Sequence, residues 1–155
     1  MFKIIIKVDR LEFIKKCGFA CLGITALPIV LSGCISNKIV AGTIEEDYII
    51  LPLVDFVEAK YPDKKRSYVI IQNDILKYPI CVFRFSETQY EALWMQCSHQ
   101  GSQLQVFGDK LQCPAHGSEF TNKGHVQNGP ADRALRKFPL YIESDFLKIS
   151  LKKPV

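Results

Sequence analysis

The stretch that decides the fold is Cys97-Ser98-His99-Gln100-Gly101-Ser102, followed after ten more residues by Cys113-Pro114-Ala115-His116-Gly117-Ser118. Each segment offers one thiol and one imidazole at close spacing with a glycine just beyond, and 13 residues separate His99 from Cys113. No other stretch concentrates ligand chemistry in this way. Between the segments, Gly108-Asp109 reads as a tight turn joining strands over 103–107 and 110–112. Two hairpin tips at one end of neighbouring strands could thus be brought face to face, on the kind of rigid β scaffold where binding loops sit.

Working outward, short apolar, β-branched or aromatic runs separated by polar turns predict strands over 48–53, 67–72, 78–85, 91–95, 134–142 and 146–151. Spacing this regular, with a tight turn at Gly108-Asp109, predicts an all-β fold, a sandwich or barrel. One helical turn is allowed over 55–60, and Asp63-Lys64-Lys65-Arg66 reads as a solvated turn without a binding role. The expected organisation is a signal peptide over 1–33, a polar tether over 34–47 and a single domain over 48–153.

Residues 1–33 hold five of the 20 basic and two of the 16 acidic side chains, so the remainder of the chain nets only +1. A body so nearly neutral excludes nucleic acid as an expected partner. Six cysteines suggest a disulfide framework at first, but their positions argue otherwise. Cys17, Cys21 and Cys34 lie in or at the end of the leader, Cys97 and Cys113 in the paired loops, and only Cys81 is left. In the run Ile80-Cys81-Val82-Phe83 it reads as a buried hydrophobe.

The leader begins with a basic segment, and Cys17 to Val30 forms a nearly uncharged run of 14 residues. That length suits a signal-peptide core and falls short of the roughly 20 residues of a spanning helix. The run ends in Leu31-Ser32-Gly33-Cys34, which resembles the lipobox of bacterial lipoproteins and implies lipidation at Cys34. An uncleaved N-terminal anchor is the other reading, and both tether the domain outside the cytoplasm, in a bacterial cell envelope. Arg10-Leu11-Glu12-Phe13-Ile14-Lys15 resembles a twin-arginine export signal with the second arginine replaced by Leu11. An ordinary basic segment accounts for it equally well.

Two cysteines and two histidines suit either zinc or an iron-sulfur cluster, since both accept thiolate and imidazole. Zinc fingers tend to pair Cys with Cys and His with His, whereas here each loop runs Cys then His. At this point the two segments resemble the boxes of a Rieske 2Fe-2S domain: Cys97-x-His99-x-Gly101 matches the first and Cys113-x-x-His116-Gly117-Ser118 the second. Gly129-Pro130-Ala131 and Leu135 resemble the proline-containing loop that covers the cluster in that family. The resemblance implies an antiparallel β sandwich or barrel with a cluster-binding subdomain of two hairpin loops, and one 2Fe-2S cluster with Cys97 and Cys113 on an inner iron and His99 and His116 on an outer iron near the surface.

Replacing two thiolates by neutral imidazoles leaves less negative charge on such a cluster, and the family's potentials lie at about −150 to +300 mV. Gly101 and Gly117 allow tight turns whose amides can point at the sulfides. Ser118 stands where many high-potential members have a serine donating to a bridging sulfide. Where those members have a tyrosine donating to a cysteine sulfur, this chain has Phe120, and where they carry a loop-tying disulfide it has Ser102 and Ala115. These departures imply a potential in the lower or middle part of the range.

The function so implied is that of a membrane-tethered one-electron carrier, or an electron-transfer subunit of an oxidoreductase, working with a cytochrome or oxidoreductase partner. One alternative is the electron-transfer component of a multi-chain oxygenase. A second iron site would need two further histidines and a carboxylate, and only His125 remains. Another alternative is a zinc-stabilised binding module. His125 is expected on a strand or turn and Trp94 in the core, while Arg133, Arg136 and Lys137 form a basic cluster that is either solvated or a docking patch.

Overall fold

A computed structural model describes residues 37–152. The leader, its lipobox and Cys34 lie outside the described residues. Strands run in chain order as β1 Ile39–Ala41, β2 Thr43–Glu45, β3 Tyr48–Pro52, β4 Val57–Glu58, β5 Tyr61–Lys65, β6 Tyr68–Gln72, β7 Ile80–Arg84 and β8 Tyr90–Trp94. They continue as β9 Gln105–Phe107, β10 Lys110–Gln112, β11 Glu119–Thr121, β12 Val126–Asn128, β13 Lys137–Phe138, β14 Leu140–Glu143 and β15 Phe146–Ser150. The helical content among the described residues is one 3-10 turn, Leu53–Phe56, so the expected all-β class holds.

The strands form a five-stranded sheet in the order β1-β6-β7-β8-β13, a four-stranded sheet β14-β15-β3-β2, a second four-stranded sheet β12-β11-β10-β9, and the pair β4-β5. The five-stranded sheet is the middle layer, and that explains why β7 reads as the unbroken apolar run Ile80-Cys81-Val82-Phe83. Alternate side chains leave a strand on opposite faces. Ile80 and Val82 join Ile49, Leu51, Leu147 and Ile149 in one core, while Cys81 and Phe83 join Leu93, Met95, Leu104, Leu111 and Phe120 in the other. The second core contains Cys97 and Cys113, so the ligand loops are rooted in apolar packing. Cys81 is a free thiol with no exposed surface, the buried hydrophobe the sequence predicts, and burial pushes its pKa well up.

Several sequence-based expectations change. Residues 39–41 and 43–45 are not tether: β1 pairs in parallel with β6 and β2 antiparallel with β3, so the domain begins before Tyr48. Lone three-residue strands at sheet edges carry too little alternation to be read from sequence. The charged run at 63–66 belongs largely to β5, whose five residues are all exposed and which pairs with β4. The helical turn falls at 53–56 rather than 55–60. The strand expected over 134–142 divides at Pro139, which has no N–H to give a ladder. On either side of it, β13 pairs with β8 in the middle sheet and β14 with β15 in the outer sheet. The Gly108-Asp109 turn is present, with Phe107 opposite Lys110 and Gly108 at φ 64°.

Candidate metal centre

The two loops are built on one frame. In the first, the Cys97 N–H donates to the Ser102 carbonyl at 2.8 Å and the Gly101 N–H to the Cys97 carbonyl at 2.9 Å. In the second, the Cys113 N–H donates to the Ser118 carbonyl at 2.8 Å and the Gly117 N–H to the Cys113 carbonyl at 3.0 Å. Cysteine opens each six-residue frame and glycine stands fifth, at φ 76° for Gly101 and 75° for Gly117. That left-handed conformation favours glycine because it has no Cβ. The frames differ in where the histidine falls, third in one loop and fourth in the other.

The loops are not two tips of neighbouring strands. The second is a true hairpin tip between β10 and β11, with Gln112 opposite Glu119. The first carries the chain out of the middle sheet after β8 and is closed by the single bridge Gln96 to Gln103. They meet because the β9–β12 sheet packs on the middle sheet through the second core.

Like donors pair with like. Cys97 and Cys113 are each 2% exposed, and the Cys97 side chain is among the groups that act on the Cys113 thiol. His99 is half-buried and His116 exposed, with ring centroids 5.2 Å apart and planes at 84°. Thiols therefore lie inward together and imidazoles outward together. Burial raises the Cys113 pKa, but hydrogen bonds from the His116 and Ala115 backbone and from the Cys97 and Ser102 side chains outweigh it, so the net shift is downward.

These residues fit a two-iron cluster. His99 Nδ1 is buried without a hydrogen-bond partner, an orphan that a ligand role would satisfy. Among the described residues no three Cys, His, Asp or Glu side chains converge on one point; the four donors are two buried cysteines and two histidines whose rings lie 5.2 Å apart.

The segment from Pro130 to Leu135 covers the site. Ser118, with no exposed surface, accepts the Ala131 N–H on its Oγ at 3.1 Å. Ser98 Oγ donates to the Arg133 carbonyl at 2.6 Å, and Arg133 Nη2 donates to the Ser98 carbonyl at 3.2 Å. Farther along, the Leu135 N–H donates to the Gly124 carbonyl at 2.9 Å. From the other side, Tyr78 donates its hydroxyl to the Gly101 carbonyl at 2.5 Å. Tyr78 and Arg133 carry no ligand chemistry, and nothing in the sequence marks them as loop anchors.

Trp94 is packed as a structural residue. Its Nε1 donates to the Tyr78 carbonyl at 3.3 Å, and its ring meets those of Tyr78 and Phe138 edge-on. The Arg136 guanidinium stacks 5.1 Å from Trp94 and 4.5 Å from Phe138, and Lys137 pairs with Glu91 at 3.2 Å. The basic cluster is therefore engaged largely within the fold. Beside it, a cleft of about 490 Å³ lined by Trp94, His99, Gln100, Arg133 and Arg136 opens next to the first loop. His125 lies apart, in the turn before β12, where its backbone bonds to Thr121.

A family profile described as the Rieske [2Fe-2S] domain matches residues 56–139. The chain is 34% identical over 56 residues to iron-sulfur subunit 2 of the cytochrome b6-f complex of Nostoc sp., covering 35% of this chain and 32% of that protein. It is 39% identical over 57 residues to the chloroplastic counterpart of Bigelowiella natans, covering 36% and 22%. The matches span about a third or less of the length of these curated relatives. Among solved structures, a quaternary ammonium Rieske monooxygenase in complex with L-carnitine superposes with TM-score 0.53 at 14% identity, over 70% of this chain and 33% of that one. At that identity the likeness concerns the fold alone.

Proposed function

This chain belongs to the Rieske [2Fe-2S] domain family, and on that premise we propose that it carries single electrons between partner proteins, with Cys97 and Cys113 on the inner iron and His99 and His116 on the outer one. The observation that carries the ligand assignment is the pairing of buried thiol with thiol and outward imidazole with imidazole. When bound, a 2Fe-2S cluster supplies a one-electron couple. The chain's residues do the rest: the second core excludes water from the sulfur side, and the histidine edges face the surface where a partner approaches.

The family assignment favours a 2Fe-2S cluster over zinc. The sequence relatives belong to cytochrome b6-f complexes, which supports a membrane oxidoreductase or cytochrome as partner. Tethering through a lipid on Cys34, in the bacterial envelope, rests on the leader sequence alone. With Phe120 in place of the tyrosine donor, and Ser102 and Ala115 in place of the disulfide, the midpoint potential falls in the lower or middle part of the range of about −150 to +300 mV.

The test is the purified full-length chain. Two irons and two acid-labile sulfides per chain, a red-brown colour and a low-field paramagnetic resonance signal on reduction are expected. Cys97→Ser abolishes all three. Colourless protein with stoichiometric zinc refutes the proposal, and a midpoint near +300 mV refutes the tuning argument.

A further inference from the structure

We propose that Ser98 and Arg133 form a two-way clasp that holds the first ligand loop to the covering segment and so keeps His99 in place, in a chain whose loops have no disulfide between them. The inference rests on the cluster assignment above for its redox arm, and on the fold alone for its structural arm. The geometry is reciprocal: the Ser98 side chain grips the Arg133 backbone at 2.6 Å, and the Arg133 side chain grips the Ser98 backbone at 3.2 Å. Each contact fixes the backbone that presents the other's acceptor, so losing one loosens both. Ser98 sits between the ligand candidates Cys97 and His99, and its side chain ties the first loop to the covering segment.

The covering segment is itself pinned at two more points. Ala131 is tied to Ser118 of the second loop, and Leu135 to Gly124. Ser98–Arg133 therefore completes a strap running from the second loop over the site to the first, a hydrogen-bonded cross-link where other members have a covalent one. Asp132 lies 3.5 Å from Arg133 Nε, and both side chains are more than three-quarters exposed. An ion pair so exposed contributes little by itself, which makes Asp132→Asn a control that leaves the clasp intact. Tyr78 anchors Gly101 from the opposite side, so the loop frame persists when the clasp is cut and the expected defect is local.

Ser98→Ala, Arg133→Gln and the double variant are compared in the full chain. Amide exchange at Cys97 and Gly101, whose N–H groups close the loop frame, rises about fivefold in each single variant, the factor of one net hydrogen bond. The global unfolding midpoint stays within a degree or two. Because the contacts are reciprocal, the double variant shows less than the product of the single effects. The half-life of the colour falls by a similar factor, the resonance line shape shifts with His99, and Arg133→Lys restores part of both. Asp132→Asn changes nothing. Independent, multiplicative effects, or unchanged exchange at Cys97 and Gly101, overturn the clasp. If the wild-type chain carries no iron, the cluster assignment fails, and the exchange measurements alone decide the clasp.

Discussion

Replacing Ser118 by alanine tests the join between the second loop and the covering segment. Ser118 has no exposed surface, and its Oγ is the acceptor for the N–H of Ala131, itself 6% exposed. The substitution removes the acceptor and leaves a buried donor unpaired, which costs about 1–3 kcal/mol. For a domain of this size that lowers the melting temperature by roughly 4–12 °C. The check is calorimetric melting of the metal-free and cluster-loaded protein beside Ser86→Ala. The Ser86 hydroxyl accepts the Thr88 N–H at an exposed site, where a change within about 0.5 kcal/mol is expected. In the loaded protein a second effect is expected: Oγ accepts from Ala131, and on the proposed cluster assignment the hydroxyl proton is donated to a bridging sulfide. Loss of a donor whose hydrogen bond strengthens by about 1 kcal/mol on reduction lowers the midpoint by about 40 mV. A melting shift no larger than that of Ser86→Ala refutes the structural argument, and an unchanged midpoint refutes the aim of the hydroxyl.

Phe120→Tyr, at a position with no exposed surface beside the cysteines, adds the missing donor and raises the midpoint by roughly 40 mV, read by redox titration. Gly101→Ala destabilises more than Gly117→Ala in chemical denaturation. Both force a left-handed alanine at about 1–2 kcal/mol, and at Gly101 the new Cβ also comes within 3.3 Å of Gln96 Nε2. Burial holds Cys81 protonated in the folded state, whereas the unfolded thiol ionises near pH 8.5. Its contribution to stability is complete below that pH and declines as pH rises above it. Cys81→Ala should flatten this decline, and alkylation of Cys81 should require unfolding. A radiolabelled fatty acid fed to cells is incorporated into the wild-type chain and not into Cys34→Ala, and label retained by that variant refutes lipid attachment at Cys34.

The site was more legible than the frame that holds it. Cys97, His99, Cys113 and His116 can be singled out because ligand chemistry needs particular side chains at short spacing, and short spacing is a property of the chain itself. The all-β class and the Gly108-Asp109 turn were legible for the same reason, since alternation and turn chemistry are local. Cys81 could be placed inside because an unbroken apolar run marks a strand covered on both faces. What the sequence hid were contacts between distant residues. The edge strands β1 and β2 exist only because β6 and β3 offer them open ladders. Tyr78 reaches Gly101 across 23 positions, and Ser98 reaches Arg133 across 35. Composition and periodicity carry no trace of such pairings. Local pattern singled out the four candidate ligands, and packing of the two small sheets on the middle one decided how those residues are brought together, because burial against a partner sheet depends on the whole chain.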